Sequence, residues 1–252
     1  MWRVIKFTLY GIIGFLIGTL LFLYLTFPNL SQLRTQNPET TAMIETRSRE
    51  AAARGEQPRR VQAWVPLERI SAHLQRAVLA GEDTNFSTHN GFDYQAIQRA
   101  WQDGQKEVAK EAGNDESSWI PDFSRFRRGG STITQQLAKN LYLSSERSII
   151  RKAREAVITY FMERELPKRR ILEIYLNVIE WGDGIYGAEA AAQTYFHKPA
   201  AALKPSEAAF LAAMIPSPLN IFNPLKNPRR VARRQKIIMR GMPFVKMPEG
   251  TG

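Results

Sequence analysis

A run of 21 residues without a charged side chain, 7–27, constrains this chain more than any other feature of its sequence. As a helix the run would extend about 30 Å, at about 1.5 Å per residue, which matches the hydrocarbon core of a bilayer. Its last eight residues (LLFLYLTF) are mostly bulky, whereas a cleaved signal peptide needs small residues at its cleavage site. The run is therefore predicted to be a membrane anchor rather than a signal peptide.

Positive charges flank this run mainly on its amino-terminal side. Arg3 and Lys6 precede it, and only Arg34 follows shortly after it. Because positively charged flanks tend to stay in the cytoplasm, the amino terminus is predicted to be cytoplasmic. The rest of the chain would then lie outside the cytoplasmic (inner) membrane, which the chain crosses once.

The composition narrows the choice of partner and of chemistry. The 252 residues include 35 Lys and Arg against 24 Asp and Glu, a net charge of +11 that favours nucleic acid, anionic lipid or a phosphorylated substrate. There is no cysteine, which excludes disulfides, thiolate metal sites and a thiol nucleophile. A hydrophobic content of 44% is ample for one core.

The rest of the chain divides by its pattern into a stalk, a helical domain and a tail. Residues 28–60 are polar without a sustained apolar period and are predicted to be a stalk. A domain is predicted at 61–241, followed by a tail at 242–252. Helical periods and breakers place helices at 70–81, 94–110, 135–141, 148–166, 168–177, 188–196, 206–215 and 228–240. With a glycine-rich loop at 181–187 and no convincing sheet, the fold is predicted to be mainly α.

The segment GGSTITQQLAKN, at 129–140, is predicted to start a helix that is capped by Ser131 or Thr132. One face is apolar, and the opposite face carries Thr132, Gln135, Gln136 and Lys139. Hydroxyls, amides and an ammonium beside a helix N-terminus suit an anionic, oxygen-rich ligand such as a phosphate. The alternative is a capped helix whose polar face only meets water.

The segment GEDTNFSTHNGFD places Glu82 and Asp83 at a helix C-terminus. The helix dipole and partial burial would both raise the pKa of Glu82, as a general base working near neutral pH requires. The alternative is a solvated acid pair beside a packed Phe86. His89 has no partner at metal-ligand spacing and is predicted to be structural.

Two further segments carry open alternatives. In helix 148–166, the predicted buried stripe consists of Ile150, Ala153, Val157 and Phe161. Glu155, with Arg151 one turn back, would then be an ordinary surface pair. Aromatic and basic residues mix at 119–128, which suits either a membrane interface or core packing.

Five strings, taken together and in order, resemble the family 51 glycosyltransferases, the peptidoglycan polymerases. They are EDTNFSTHNG, GGSTITQQLAKN, RKARE, KRRILEIYLN and the proline turn IPSPLNIFNP with 229–239 behind it. The resemblance covers 64–239. The chain resembles the monofunctional members of the family, because the S-x-x-K and K-T-G signatures of a penicillin-binding domain are absent from the sequence.

The resemblance implies a lysozyme-like fold that polymerises lipid II on the outer face of the membrane and releases undecaprenyl diphosphate. It implies that Glu82 is the general base for the acceptor 4-hydroxyl and that Glu155 is the second essential glutamate. The residues expected to bind substrate are Asp83, Arg99, Ser131, Thr132, Gln135, Gln136, Lys139, Arg147 and Arg154. No cofactor is required by the resemblance, although a divalent cation such as Mg²⁺ or Mn²⁺ could assist the leaving diphosphate. Expected partners are lipid II, the growing glycan chain and proteins of cell-wall synthesis and division, with no nucleic acid.

Two rival functions remain open from the sequence. A peptidoglycan hydrolase or lytic transglycosylase would share the fold and one glutamate, but it would not need a cationic diphosphate site. A membrane-tethered scaffold or nucleic-acid binder would explain the charge but would leave both glutamates without a task.

Overall fold

The computed structural model describes residues 25–99, 131–143 and 148–249, together with isolated positions between residues 2 and 21 and residue 102. Residues 94–99 are helical. The α-helices in these ranges are α1 (Ala42–Ala53), α2 (Ala72–Glu82), α3 (Ile133–Tyr142), α4 (Ile149–Glu165), α5 (Lys168–Val178), α6 (Ala188–Phe196), α7 (Pro205–Met214) and α8 (Pro228–Gly241). Short 3₁₀ turns lie at Leu30–Arg34, Leu67–Arg69, Ala200–Ala202 and Met242–Phe244. The strands are β1 (Val61–Gln62), β2 (Glu180–Gly182) and β3 (Ile185–Tyr186).

The mainly helical prediction is confirmed, and the bounds of α3 to α8 agree with it to within two residues. Local signals explain this agreement. Ser148 accepts a hydrogen bond from the first turn of α4, Pro167 precedes α5, and proline occupies the first turn of α7 and of α8. Apolar periods interrupted by caps and prolines are visible in the sequence alone, so these elements could be predicted.

The hydrophobic core is organised around α2. Its apolar side chains Leu74, Ala77, Val78 and Leu79 are completely buried. The helices α7 and α8 pack on α2 and on each other, while α3 packs between α4 and α5. This arrangement brings the C-terminal end of α2 close to α3, α5 and α8.

The predicted membrane anchor falls largely outside the described residues. Of the run 7–27, the structure describes 25–27 and isolated earlier positions. Among the positions that the structure describes, no helix combines the length and the apolarity needed to cross a bilayer. Most of the predicted helix 94–110 and the aromatic and basic segment 119–128 also lie outside the described residues.

The prediction of no sheet was wrong, as was the prediction that 181–187 is only a loop. The three strands pair in the order β1-β3-β2, with β1 parallel and β2 antiparallel to β3. At the turn between β2 and β3, Gly184 has φ +66, and a Cβ there would lie 2.6 Å from the carbonyl oxygen of Arg59. Strands of two or three residues are too short to show an alternating pattern, which is why the sequence did not reveal β2 and β3.

Part of the predicted stalk, 28–60, packs against the helical domain. Leu30 and Leu33 belong to the hydrophobic core, and Arg170 Nε donates to the carbonyl oxygen of Leu33 at 2.7 Å. Arg47 on α1 forms an ion pair of 2.9 Å with Glu180 on β2. These contacts depend on a few apolar and charged residues in a polar stretch, so no hydrophobic periodicity in the sequence predicted them. The predicted domain boundaries themselves stay predictions.

The orientation predicted for the long helix α4 was wrong. Of its predicted buried stripe, Ile150 is 76% exposed, Val157 48% and Phe161 43%. The buried face instead consists of Glu155, Ile158, Thr159 and Met162. The prediction assumed that the most apolar face is the buried one, whereas α4 buries a carboxylate and a hydroxyl.

Candidate active site

Glu82 is the last residue of α2, and its side chain is only 8% exposed. Arg234 on α8 donates from Nη2 to Glu82 Oε1 at 2.8 Å. Gln136 on α3 donates from Nε2 to Glu82 Oε2 at 3.0 Å. The carboxylate is therefore held at the meeting point of α2, α3 and α8, with one donor on each oxygen.

Burial raises the pKa of Glu82 above its ordinary value of 4.5. The positive charge of Arg234, the hydrogen bonds from Gln136 and Arg234, and the charge of Lys139 act in the opposite direction but do not outweigh burial. The raised pKa of Glu82 agrees with the sequence prediction, and in the structure burial is its largest cause. A carboxylate of raised pKa can accept a proton near neutral pH, as a general base does.

Asp83, next to Glu82, is occupied by protein groups. Its side chain is 2% exposed, Ile133 N donates to Oδ2 at 2.9 Å, and His89 Nε2 lies 2.9 Å from Oδ1. Asp83 thus joins the N-terminus of α3 to the loop that carries His89, which agrees with a structural His89. These contacts account for Asp83 without a ligand, so its role in substrate binding stays a prediction.

The N-terminus of α3 uses two of the predicted binding residues for its own cap. Thr132 Oγ1 accepts from Gln135 N at 3.2 Å, and Gln135 Oε1 accepts from Thr132 N at 3.0 Å. Thr132 Oγ1 also donates to the carbonyl oxygen of Gly91 at 2.7 Å. Both side chains are buried, Thr132 at 2% and Gln135 at 5% exposure, and their predicted role in substrate binding stays a prediction. The reciprocal cap satisfies backbone donors that would otherwise be orphaned. Ser131, by contrast, is exposed.

Gly91 lies where the loop after α2 passes close to α4. Its φ is +85, and a Cβ there would lie 2.8 Å from Thr159 Cγ2. A side chain would be strained by the backbone conformation and would also clash. The glycine therefore lets the loop reach the cap of α3.

Glu155 is the centre of a cationic cluster rather than part of a surface pair. The residue is 3% exposed, Arg151 Nη1 donates to its Oε2 at 2.8 Å, and Lys152 Nζ donates to its Oε1. The interpretation of an ordinary exposed pair with Arg151 was wrong, because α4 turns this face inward. An exposed pair contributes little, but removing one partner of a buried pair leaves an uncompensated charge.

Lys139 on α3 is within electrostatic reach of both Glu155 and Glu82. Burial lowers the pKa of Lys139 from its ordinary value of 10.5, and the charges of Arg151 and Lys152 act in the same direction. The charges of Glu155 and Glu82 both oppose this effect. An ammonium held in a poorly hydrated environment gains from an anionic ligand, since the ligand adds to the counter-charge that Glu155 and Glu82 supply.

Of the other predicted cations, the structure describes Arg154 and Arg99 but not Arg147, and it places the two described side chains apart from this group. Arg154 Nη2 donates to the carbonyl oxygen of Thr26 at 2.9 Å and lies 3.2 Å from its Oγ1. Arg99 is exposed, and Arg147 lies outside the described residues. In the described ranges no three or more His, Cys, Asp or Glu side chains are placed to hold a metal ion.

The structure therefore brings together Glu82, Gln136, Lys139 and Glu155 of the predicted site residues. It adds Arg234, which the sequence prediction missed. Arg234 is 152 residues from Glu82 in sequence and lies in a helix with many basic residues. Its position on the inner edge of that helix, one turn from the buried Val231 and Ile238, is the only signal that could have singled it out.

Comparison with known proteins assigns the chain to a family. Residues 49–243 match the family model described as Transglycosylase. A biosynthetic peptidoglycan transglycosylase of Laribacter hongkongensis (strain HLHK9) is 42% identical over 244 residues, which cover 97% of this chain and 100% of that protein. Those of Azoarcus sp. (strain BH72) and Thiobacillus denitrificans (strain ATCC 25259 / T1) are both 47% identical, covering 76% and 84% of each chain respectively. The chain is therefore an enzyme that belongs to the transglycosylase family.

Proposed function

We propose that this transglycosylase is a peptidoglycan glycosyltransferase that polymerises lipid II into β-1,4-linked glycan strands and releases undecaprenyl diphosphate. The observation that carries the proposal is that a buried carboxylate of raised pKa, Glu82, lies within electrostatic reach of the half-buried ammonium of Lys139. A base for an acceptor hydroxyl and a cation for a leaving diphosphate are the two groups that such a transfer needs. The family relatives support the same reaction class, since they bear the name of biosynthetic peptidoglycan transglycosylases.

In the proposed reaction, Glu82 accepts the proton of the acceptor sugar 4-hydroxyl as that oxygen attacks the anomeric carbon of the donor. The α-linked diphosphate leaves from the opposite face, so a single displacement gives a β-linkage with inversion. The leaving diphosphate is already a weak base, so it needs stabilisation of its negative charge more than it needs a proton. The ammonium of Lys139 supplies that stabilisation. We expect Arg147 and the other predicted cations to contribute when the donor is bound.

Glu155 is proposed to act on the cations rather than on the sugar. Its carboxylate holds Arg151 and Lys152 and raises the pKa of Lys139 against the effect of burial. An arrangement of this kind keeps Lys139 protonated until the diphosphate arrives. The essential role of the second glutamate would then be to preserve the charge of the diphosphate site.

The deciding experiment incubates the full-length protein with lipid II in detergent and separates long glycan chains from short fragments. We expect chains that a muramidase can digest. Preformed glycan strands, offered in a parallel reaction, should remain intact. Cleavage of those strands without polymer formation would instead support the hydrolase or lytic transglycosylase.

A membrane setting is also proposed, and the exposed face of α4 supports it. Ile149 and Ile150 are 85% and 76% exposed, and Val157, Tyr160 and Phe161 continue the same apolar surface. Phe27, the last residue of the predicted anchor, packs edge to face on Phe161 with ring centroids 5.3 Å apart. Exposed apolar surface next to the end of a membrane anchor suits contact with the lipid headgroup region, where the lipid-linked substrate resides.

Deleting residues 1–27 should leave a folded enzyme that is active in detergent but poor on membranes. The anchor raises the local concentration of enzyme at the substrate surface and takes no part in the proposed chemistry. Turnover should be compared in detergent micelles and in lipid II-containing vesicles. A second truncation that keeps Thr26 and Phe27 separates loss of the anchor from loss of their contacts with α4. Inactivity of both truncated proteins in micelles would mean that the uncharged run forms part of the lipid site.

A further inference from the structure

Tyr175 on α5 is a completely buried residue that the proposed mechanism does not yet use. Its hydroxyl donates to Gln136 Oε1 at 2.8 Å, and Gln136 Nε2 in turn donates to Glu82 Oε2 at 3.0 Å. The three side chains therefore form one continuous hydrogen-bonded chain from the core to the carboxylate. Three separate helices, α5, α3 and α2, supply its members.

When Glu82 is ionised, the donors and acceptors of the three side chains allow only one arrangement of these hydrogen bonds. A carboxylate can only accept, so it requires the amide nitrogen of Gln136 to face it. The amide oxygen of Gln136 then faces Tyr175, which must donate. Burial raises the pKa of Tyr175 well above 10, so its hydroxyl keeps its proton at working pH. If Gln136 were reversed, its amide oxygen would face the carboxylate, and two acceptors would oppose each other.

We propose that Tyr175 is a positioning residue for the transfer reaction: it fixes the orientation of the Gln136 amide, so that Gln136 donates to Glu82 and holds its carboxylate in place. Arg234 performs the matching task on the other carboxylate oxygen. The inference rests on the proposed function, since it assumes that Glu82 is the base. Tyr175 contacts neither the substrate nor the reacting atoms and acts through Gln136.

The energetic consequence can be stated as a direction. The hydrogen bond from Gln136 lowers the pKa of Glu82 and so partly offsets the effect of burial. Without the donor of Tyr175, Gln136 Oε1 loses its hydrogen-bond partner, and the amide is free to rotate away from Glu82. Glu82 should then have a still higher pKa and a less defined position. Both changes reduce the fraction of enzyme that is ready to accept a proton at neutral pH.

The test measures turnover of lipid II by the full-length protein in detergent across a range of pH, for Tyr175→Phe and for the wild type. We expect kcat to fall roughly threefold to tenfold, as for loss of a net hydrogen bond, with KM almost unchanged. The acidic limb of the pH profile should move to higher pH. A residue that only stabilised the fold would lower the amount of active enzyme without moving that limb.

Tyr186 provides a matched control for the buried ring. It is also completely buried, and its hydroxyl has no hydrogen-bond partner within the described part of the chain. Tyr186→Phe removes the same atom from a tyrosine on β3, outside the site. We expect this variant to retain the wild-type pH profile.

A double-mutant cycle tests whether Tyr175 acts through Gln136. If it does, Tyr175→Phe should add almost nothing to the effect of Gln136→Met, since the link is already broken. Additive effects, or a Tyr175→Phe profile identical to that of the wild type, would overturn the inference and leave the proposed function standing. Absence of polymer from the wild-type protein would overturn the proposed function, and this inference with it.

Discussion

The variant Glu82→Gln is expected to lose polymerisation by about 10²-fold or more, because an amide keeps the shape of the carboxylate but cannot accept a proton. Gln136 and Arg234 donate to Glu82, and the glutamine oxygen can still accept from one of them. Lipid II binding should therefore change little. The measurement is single-turnover rate and lipid II affinity of the purified variant. Near-normal turnover would remove Glu82 from the mechanism.

The same variant should be more stable than the wild type at neutral pH. Burial raises the folded-state pKa of Glu82 above 4.5, so the folded protein binds this proton more tightly than the unfolded chain does. The wild type therefore loses stability as pH rises from about 4.5 through the folded-state pKa, whereas glutamine does not titrate. Thermal melts at neutral pH should give the higher melting temperature to Glu82→Gln, and the difference should shrink below pH 4.5. A lower melting temperature at neutral pH would show that the pair with Arg234 outweighs burial.

The position of Glu82 could be predicted from sequence because the signals are local. An apolar helical period ends in a glycine followed by two acids, which places a carboxylate at the end of a packed helix. The same reasoning located α3 through its glycines and its capping residue. In both cases the helix-forming and helix-ending signals lie within a few residues of one another, so the sequence alone reveals them.

The partners of Glu82 could not be predicted, because their placement depends on how the helices pack. Gln136, Tyr175 and Arg234 come from three other helices, and the contacts of Glu82 with Gln136 and Arg234 span 54 and 152 residues of sequence. A helical wheel also fails when a polar side chain serves the fold. Thr132 and Gln135 were predicted from the wheel to bind a ligand, and the structure shows that they also form a reciprocal cap.

The face that α4 buries could not be predicted from the sequence either. Glu155 looked like a solvent-exposed residue because a more apolar face was available. The structure leaves that apolar face exposed, next to Phe27, and turns Glu155 toward the cations. The proposed membrane setting would account for this, because a face that contacts lipid can be more apolar than the face that packs in the core.

Opposite effects are expected from two substitutions on the two faces of α3. Leu137 is completely buried, so Leu137→Ala should cost about 2–5 kcal/mol of unfolding free energy and lower the melting temperature. The fraction that remains folded should keep its affinity for a diphosphate-containing donor analogue. The cavity lies in the core and leaves Lys139 in place.

Lys139→Met should do the reverse. Loss of a charge-assisted contact to diphosphate should weaken donor binding by about 1.5–3 kcal/mol. Stability should be unchanged or increased, since burial lowers the folded-state pKa of Lys139 below 10.5 and the unfolded chain therefore binds the proton more tightly. That cost is fully present below the folded-state pKa of Lys139 and disappears as pH rises toward 10.5. Methionine keeps much of the side-chain volume while removing the charge. If Lys139→Met proves the destabilised variant and keeps donor affinity, the ammonium serves the fold through Glu155, and the diphosphate site must be sought elsewhere.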